Sequence, residues 1–279
     1  MKTVIKTIFR LALATLVFSA MPVLVKGVEQ ESAINQVQWL EGPGIGQLGD
    51  VAEIRIPSEY RFANGADTRI LLEAMRNLTS GKEVGLMVPN SQKWFMCFEF
   101  DNTGYVSDKE KDVLDADAML KSLRENNEEG NKERAQKGWP PFKIVGWHQA
   151  PYYDSVTHNL EWAIIIESEG KTNINWNTRV LGRGGVMSVT LMADPSVIQS
   201  IRPEYSQALA DFSFKKGQQY QEFREGDKMA EYGLTALVVG GATAAAVKTG
   251  AAKWLWKFIV VAFGGIAVFI KNLFSRKNK

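Results

Sequence analysis

The chain has 279 residues, 45% of them hydrophobic and 23% charged, a globular composition that excludes wholesale disorder. Its formal charge of +2 conceals three unlike parts: residues 1–27 carry +4, residues 231–279 carry +6, and the middle is left with −8. An acidic middle excludes a phosphate-binding basic face, so no nucleic-acid partner is expected. With Cys97 as the only cysteine, no intrachain disulfide can form.

The N-terminus places Lys2, Lys6 and Arg10 before an apolar stretch from Leu11 to Val25. Val25 and Gly27 are small enough for the −3 and −1 positions of a cleavage site after Gly27. This is the pattern of a secretory signal peptide over residues 1–27. An uncleaved N-terminal anchor is the other reading, and both put the middle outside the cytoplasm.

Residues 28–230 read as one extracytoplasmic domain. Gln36 to Leu40 and Ala52 to Ile56 look like short strands, separated by a loop at Gly42-Pro43-Gly44-Ile45-Gly46. Ala66 to Leu78 has helical spacing, with Ile70, Leu71, Ala74, Met75 and Leu78 on one face. Val84 to Val88 and Lys93 to Phe100 read as strands broken at Pro89-Asn90, with Cys97 as a small buried apolar residue. Asp112 to Arg134 reads as a helix whose apolar stripe fades into a solvated, charged end.

Four strand candidates follow as an antiparallel meander: Ile144 to Gln149, Leu160 to Glu167, Thr172 to Leu181 and Val186 to Met192. The third alternates, Ile174, Trp176, Thr178 and Val180 against Asn175, Asn177 and Arg179. The second is apolar on both faces, which points to a central, covered strand. Pro203 to Phe212 reads as a closing helix. The expected fold is α+β, a mainly antiparallel sheet flanked by helices on both faces.

Residues 231–279 form the expected membrane anchor. Tyr232 to Val247 is uncharged and rich in small residues, and Gly240 and Gly241 are candidates for a helix contact with an envelope protein or a second copy. Trp254 to Ile270 is interrupted only by Lys257. Trp254 and Trp256 suit an interfacial belt with Lys257 snorkelling, and Lys271, Arg276, Lys277 and Lys279 make a basic cytoplasmic exit. A single crossing over 254–273, with the earlier piece packed on the domain or the membrane surface, is preferred to a two-helix hairpin. The lipid bilayer is then the first partner, and the location is the bacterial inner membrane.

Chemistry-bearing residues concentrate between Gly146 and His158, where His148, Asp154 and His158 surround a turn. As a metal site the trio is thin, since zinc usually takes three or four protein ligands. Pro151 and Asp154-Ser155 are ordinary turn-formers. Leu181-Gly182-Arg183-Gly184-Gly185 resembles a phosphate loop, but a strand follows it where a phosphate cradle needs a helix. Its glycines are expected to supply positive φ for a hairpin. Arg179 and Arg183 remain candidate ligand-binding residues. The sequon Asn77-Leu78-Thr79 matters only in a glycosylating pathway, and no cofactor motif is present.

Gly146-Trp147, Pro151-Tyr152-Tyr153-Asp154, Thr157-His158-x-Leu160-x-Trp162-Ala163, Asn177 to Val186 and Tyr232-Gly233-Leu234 together resemble a bacterial family of membrane-anchored proteins of unknown function, the domain of unknown function 2167. The likeness spans about residues 37–275 and implies an exported bacterial protein with a C-terminal anchor. It implies no catalytic residues, and His148 departs from its pattern. The element order also resembles the photosystem extrinsic protein PsbP and the nuclear transport factor Mog1, a likeness of fold alone. The expected function is a non-catalytic binding or scaffolding module of the envelope. The alternative is a metal- or ligand-dependent enzyme built on His148, Asp154 and His158.

Overall fold

The computed structural model describes residues 35–91 and 93–240. The chain divides into two compact units, Met1–Val37 and Gln38–Lys279, and the fold below is that of the second. Its main sheet has eight strands, antiparallel throughout: β1 Leu40–Glu41, β4 Tyr60–Asn64, β5 Glu83–Pro89, β6 Trp94–Asp101, β10 Val186–Ala193, β9 Lys171–Leu181, β8 Asn159–Ser168 and β7 Lys143–Asp154, in that spatial order. A three-stranded sheet pairs β11 (Phe212–Phe214), β3 (Ala52–Ile56) and β2 (Gly44–Leu48). The α+β class and the meander stand as expected from the alternation.

Side-chain period two sends each strand's residues to two faces, and each face has its own core. On one face Met87, Met96, Phe98, Met187, Val189, Leu191 and Trp176 meet the small sheet and the helix α3 (Ile198–Ala210). Ile198, Ile201, Tyr205 and Ala208 recur at helical spacing and supply the buried stripe of α3. Glu204 fixes its orientation by accepting from Tyr60 Oη at 2.8 Å and Trp94 Nε1 at 3.3 Å. On the other face Leu160, Trp162, Ile164 and Ile166 pack under α2 (Ala116–Gln136) and α4 (Leu234–Val239). The remaining helix, α1 (Gly65–Ala74), packs beside β5. Asn64 caps it, its Oδ1 accepting from the amides of Ala66 and Asp67 at 2.8 and 3.1 Å.

Several elements differ from expectation. Of the loop expected over Gly42 to Gly46, the last three residues lie in strand β2, where Gly46 sits against the ring of Phe62 with no room for a Cβ. Of the strand expected over Gln36 to Leu40, only Leu40 lies in a strand. Strand β8 is next to the edge rather than central, with β7 outside it. Helix α3 begins before Pro203 and contains it. The register between β7 and β8 shifts three times, at Ile144/Gly146, Trp147/Gln149 and Gln149/Tyr152.

The C-terminal boundary also moves. Leu234, Leu237, Val238 and Val239 are buried against the second core, so the globular domain runs on past residue 230 through Gly240. The uncharged piece from Tyr232, expected to pack on the domain or on the membrane surface, lies on the domain over its described residues. Its helix is held at both ends. Glu110 Oε2 accepts from the Thr235 amide at 2.9 Å, and Asn126 Nδ2 donates to the Val239 carbonyl at 2.6 Å. Gly240 stops it in the left-handed region at φ +93°, its amide bonded to Ala236 O. Gly240, a candidate for a helix contact with a partner, thus sits at the end of this helix. Among the described residues no helix is long and apolar enough to cross a membrane. Gly241, Trp254, Trp256, Lys257 and Ile270 lie outside the described residues, as does the signal segment.

Candidate functional site

Two hairpin tips carry Asp154, His158 and Arg183, while His148 and Arg179 lie within strands β7 and β9. At the β7–β8 turn Asp154 Oδ1 accepts from the amides of Val156 and Thr157 at 2.8 and 3.4 Å, which is turn chemistry. These bonds hold its carboxyl below the usual range. His158 takes a positive φ of 56° in that turn, faces Tyr153 Oη through Nδ1 at 3.1 Å and lies on Tyr220, 4.7 Å between centroids. His148 meets the edge of Trp176 at 6.4 Å, and Trp176 belongs to the core on the opposite side of the sheet from Tyr220. The two imidazoles therefore belong to different faces. Among the described residues no three His, Cys, Asp or Glu side chains come together to hold a metal.

At the β9–β10 turn Arg183 is engaged fork to fork with Asp227, Nε–Oδ2 and Nη2–Oδ1 both at 2.7 Å. Asp227 also accepts from the Arg224 amide at 2.7 Å. The guanidinium ties the hairpin to the segment leading to α4. None of the hairpin's glycines takes positive φ, against expectation. They provide room instead: a Cβ on Gly185 would strike the Asp101 carbonyl, and one on Gly182 the ring of Phe214.

The densest polar chemistry lies elsewhere, inside the sheet. Register places Glu83, Glu99, Ser188 and Arg179 directly opposite one another across β5, β6, β10 and β9. Cys97, Thr190, Asn177 and Trp162 form the next row on the same face. Every one of these eight side chains is buried. The face of β9 read as polar is thus as covered as its apolar face. Arg179, a candidate named from sequence, is 2% exposed, with its guanidinium carbon 4.7 Å from the Trp162 ring centroid. Burial pulls its pKa down to about 10, against the opposing pull of Glu99 first among its neighbours.

Glu99 is pushed up to about 7 by burial and then by the facing charge of Glu83. Lys82 Nζ reaches Asp101 Oδ1 at 2.7 Å, and Tyr232 Oη donates to Asp101 Oδ2 at 3.3 Å. Tyr232, pushed up to about 12 by burial and then by Asp101, thereby links the row to α4. Cys97 is fully buried, its thiol pKa well above the ordinary value, which makes it inert as a nucleophile. The Asn77 side chain of the sequon is buried, with Nδ2 donating to the Met75 carbonyl at 3.4 Å, so it is closed to a glycosyl carrier.

The sequence signal for this row was partial. Arg179 stood out, and Glu99 is an acid set among the apolar residues Phe98 and Phe100. Glu83 and Ser80 carried no signal, because their meeting with Glu99 depends on the irregular register between Glu83 and Gly85.

Fold and site define an antiparallel α+β module whose concentrated ionic chemistry is buried in the sheet and roofed by helices. The chain belongs to the family described as Protein of unknown function (DUF2167), which matches residues 41–271. No curated protein matches it in sequence. Among solved structures, the cyanobacterial PsbP of Synechocystis sp. PCC 6803 is similar at 8% identity and TM-score 0.37, over 64% of this chain and 92% of that one. Mog1p of Saccharomyces cerevisiae, titled a Ran-binding protein, is similar at 10% identity and TM-score 0.32, over 68% and 99%. PA94 of Pseudomonas aeruginosa, a protein of unknown function, is similar at 16% identity and TM-score 0.26, over 60% and 92%.

Proposed function

We propose that this protein is a non-catalytic binding or scaffolding module of the bacterial cell envelope, anchored in the inner membrane by its C-terminal end with the α+β domain outside the cytoplasm. The observation that carries the reading is the seating of α4. The domain's last described helix is pinned by Glu110 and Asn126, and the sequence then runs from Gly240 to Val247 with no charged residue. No polar linker separates domain and tail, so a domain with this arrangement is held close to whatever surface the tail enters. The basic exit after Ile270 and the cationic, apolar N-terminus agree with such a topology.

The test uses the full-length protein in bacterial cells. Alkaline carbonate extraction should leave it in the membrane pellet, and protease added to intact spheroplasts should reach the α+β domain. Recovery in the carbonate supernatant would overturn the anchor. Protection of the domain in spheroplasts, with cleavage only after lysis, would overturn its sidedness.

A further inference from the structure

We propose that Ser80, Glu83 and Glu99 form a proton-operated clasp that fastens the connection between α1 and β5 onto the central sheet. A single hydroxyl stands between the two carboxyls. Ser80 Oγ lies 2.7 Å from Glu99 Oε1 and 3.1 Å from Glu83 Oε1, and it also accepts from the Lys82 amide at 3.1 Å. A hydroxyl has one proton to give, so it cannot donate to both carboxylates. One carboxyl must bring its own. With Glu99 protonated, its O–H donates to Ser80 Oγ and the Ser80 proton goes to Glu83. Every oxygen of the triangle is then used in a compatible sense. Glu83 Oε1 additionally accepts from the Ser80 amide at 2.6 Å, which suits the ionised partner.

The surroundings divide the roles in the same way. Arg69 of α1 approaches Glu83 Oε2 at 3.8 Å and donates to the Glu83 carbonyl at 3.2 Å, so a cation stands on the Glu83 side of the triangle. Around Glu99 stand Lys82 from the connection, Arg179 from β9, and Cys97 and Asp101 on its own strand. Tyr232, ahead of α4, faces the same group through Asp101. Lys82 is already bonded to Asp101, and Arg179 lies over Trp162. The elevation of Glu99 by burial and by Glu83 agrees with its holding the proton near neutrality.

Loss of that proton sets two buried carboxylates against one hydroxyl, a like-charge arrangement that disfavours the closed triangle. The element released is the Ser80–Lys82 segment, which also meets β6 through the bond from the Phe100 amide to the Lys82 carbonyl at 3.0 Å and through the Lys82–Asp101 ion pair at 2.7 Å. It passes through Gly81 at φ +81°, with open space where a side chain would lie.

Hydrogen exchange of the full-length protein in detergent micelles tests this, with rates for the residue 79–83 amides corrected for the intrinsic pH dependence. Protection there should fall about tenfold between about pH 6 and about pH 8 in the unmodified protein. Glu99→Gln, whose amide donates permanently to Ser80 Oγ, should abolish the change and stay protected at both values. A flat profile in the unmodified protein, or the same fall in Glu99→Gln, would overturn the clasp. Should Glu99→Gln not fold, Glu83→Gln removes the opposing charge and should move the transition to lower pH; an unmoved midpoint would overturn it as well. Infrared difference spectra of the unmodified protein across the same interval should show a carboxylic-acid band disappear, and its absence would count against a held proton.

Discussion

The guanidinium of Arg179 lies against the indole of Trp162, 4.7 Å from carbon to ring centroid, with both side chains sealed from solvent. A buried cation survives only if charge and shape around it are complete. Here Glu99 supplies the largest opposing charge and the ring supplies a flat, electron-rich surface. Arg179→Ala is expected to destabilise the domain by about 3 to 5 kcal/mol, since it opens a cavity and strands the acidic row. Arg179→Lys should cost less but more than zero, because an ammonium cannot stack as a planar fork does. Denaturant unfolding of the full-length protein in detergent measures both.

Stability should depend on pH with an inverted sign for Glu99. Its folded value of about 7 lies above the ordinary 4.5, so the folded state binds more protons than the unfolded state between these limits. Stability is therefore highest at the acidic side of the window and falls as pH rises from about 4.5 to about 7. The full change from this group is about 3 kcal/mol. Unfolding midpoints measured across that interval check it, and Glu99→Gln should flatten the slope.

The fork between Arg183 and Asp227 predicts the opposite limb. Arg183 is the first cause that pulls Asp227 down to about 2, so this contact persists as pH falls through the usual carboxylate range and opens only near that value. Arg183→Ala and Asp227→Ala should each speed hydrogen exchange in residues 182–185 and 217–228. The double substitution should add little, because each single one already breaks both hydrogen bonds.

Seating of α4 rests on small, separable contacts. Asn126→Ala deletes the donor to the Val239 carbonyl and should cost about 1 kcal/mol. Gly240→Ala forces a side chain into the left-handed region and should cost about 1 kcal/mol more. Both should raise amide exchange in 234–240 before any loss of the sheet, as read by peptide-resolved exchange.

How much of this was legible in the sequence depends on how local each feature is. Strand β9 announced itself because Ile174, Trp176, Thr178 and Val180 alternate with Asn175, Asn177 and Arg179. Alternation reports sides, not coverage, and α2 and α4 bury the polar side as fully as the other. For helix α4 the sequence left the domain and the membrane surface both open, because burial in protein and burial in a bilayer select the same residues. Only the side chains that meet its ends, Glu110 and Asn126, distinguish the two, and both are more than 100 residues away. Strand β2 was hidden by its glycines, of which Gly46 makes room for Phe62 rather than a turn. The histidines drew notice by rarity, and rarity carries no geometry.

The bulged outer strand β7 has a bearing on crowding. Twelve residues of sheet edge offer a long template for a neighbouring molecule, and a regular edge recruits foreign strands. Three breaks in register interrupt that comb of amides and carbonyls. Copies packed side by side at high local density would find no straight seam along that edge on which to zip together.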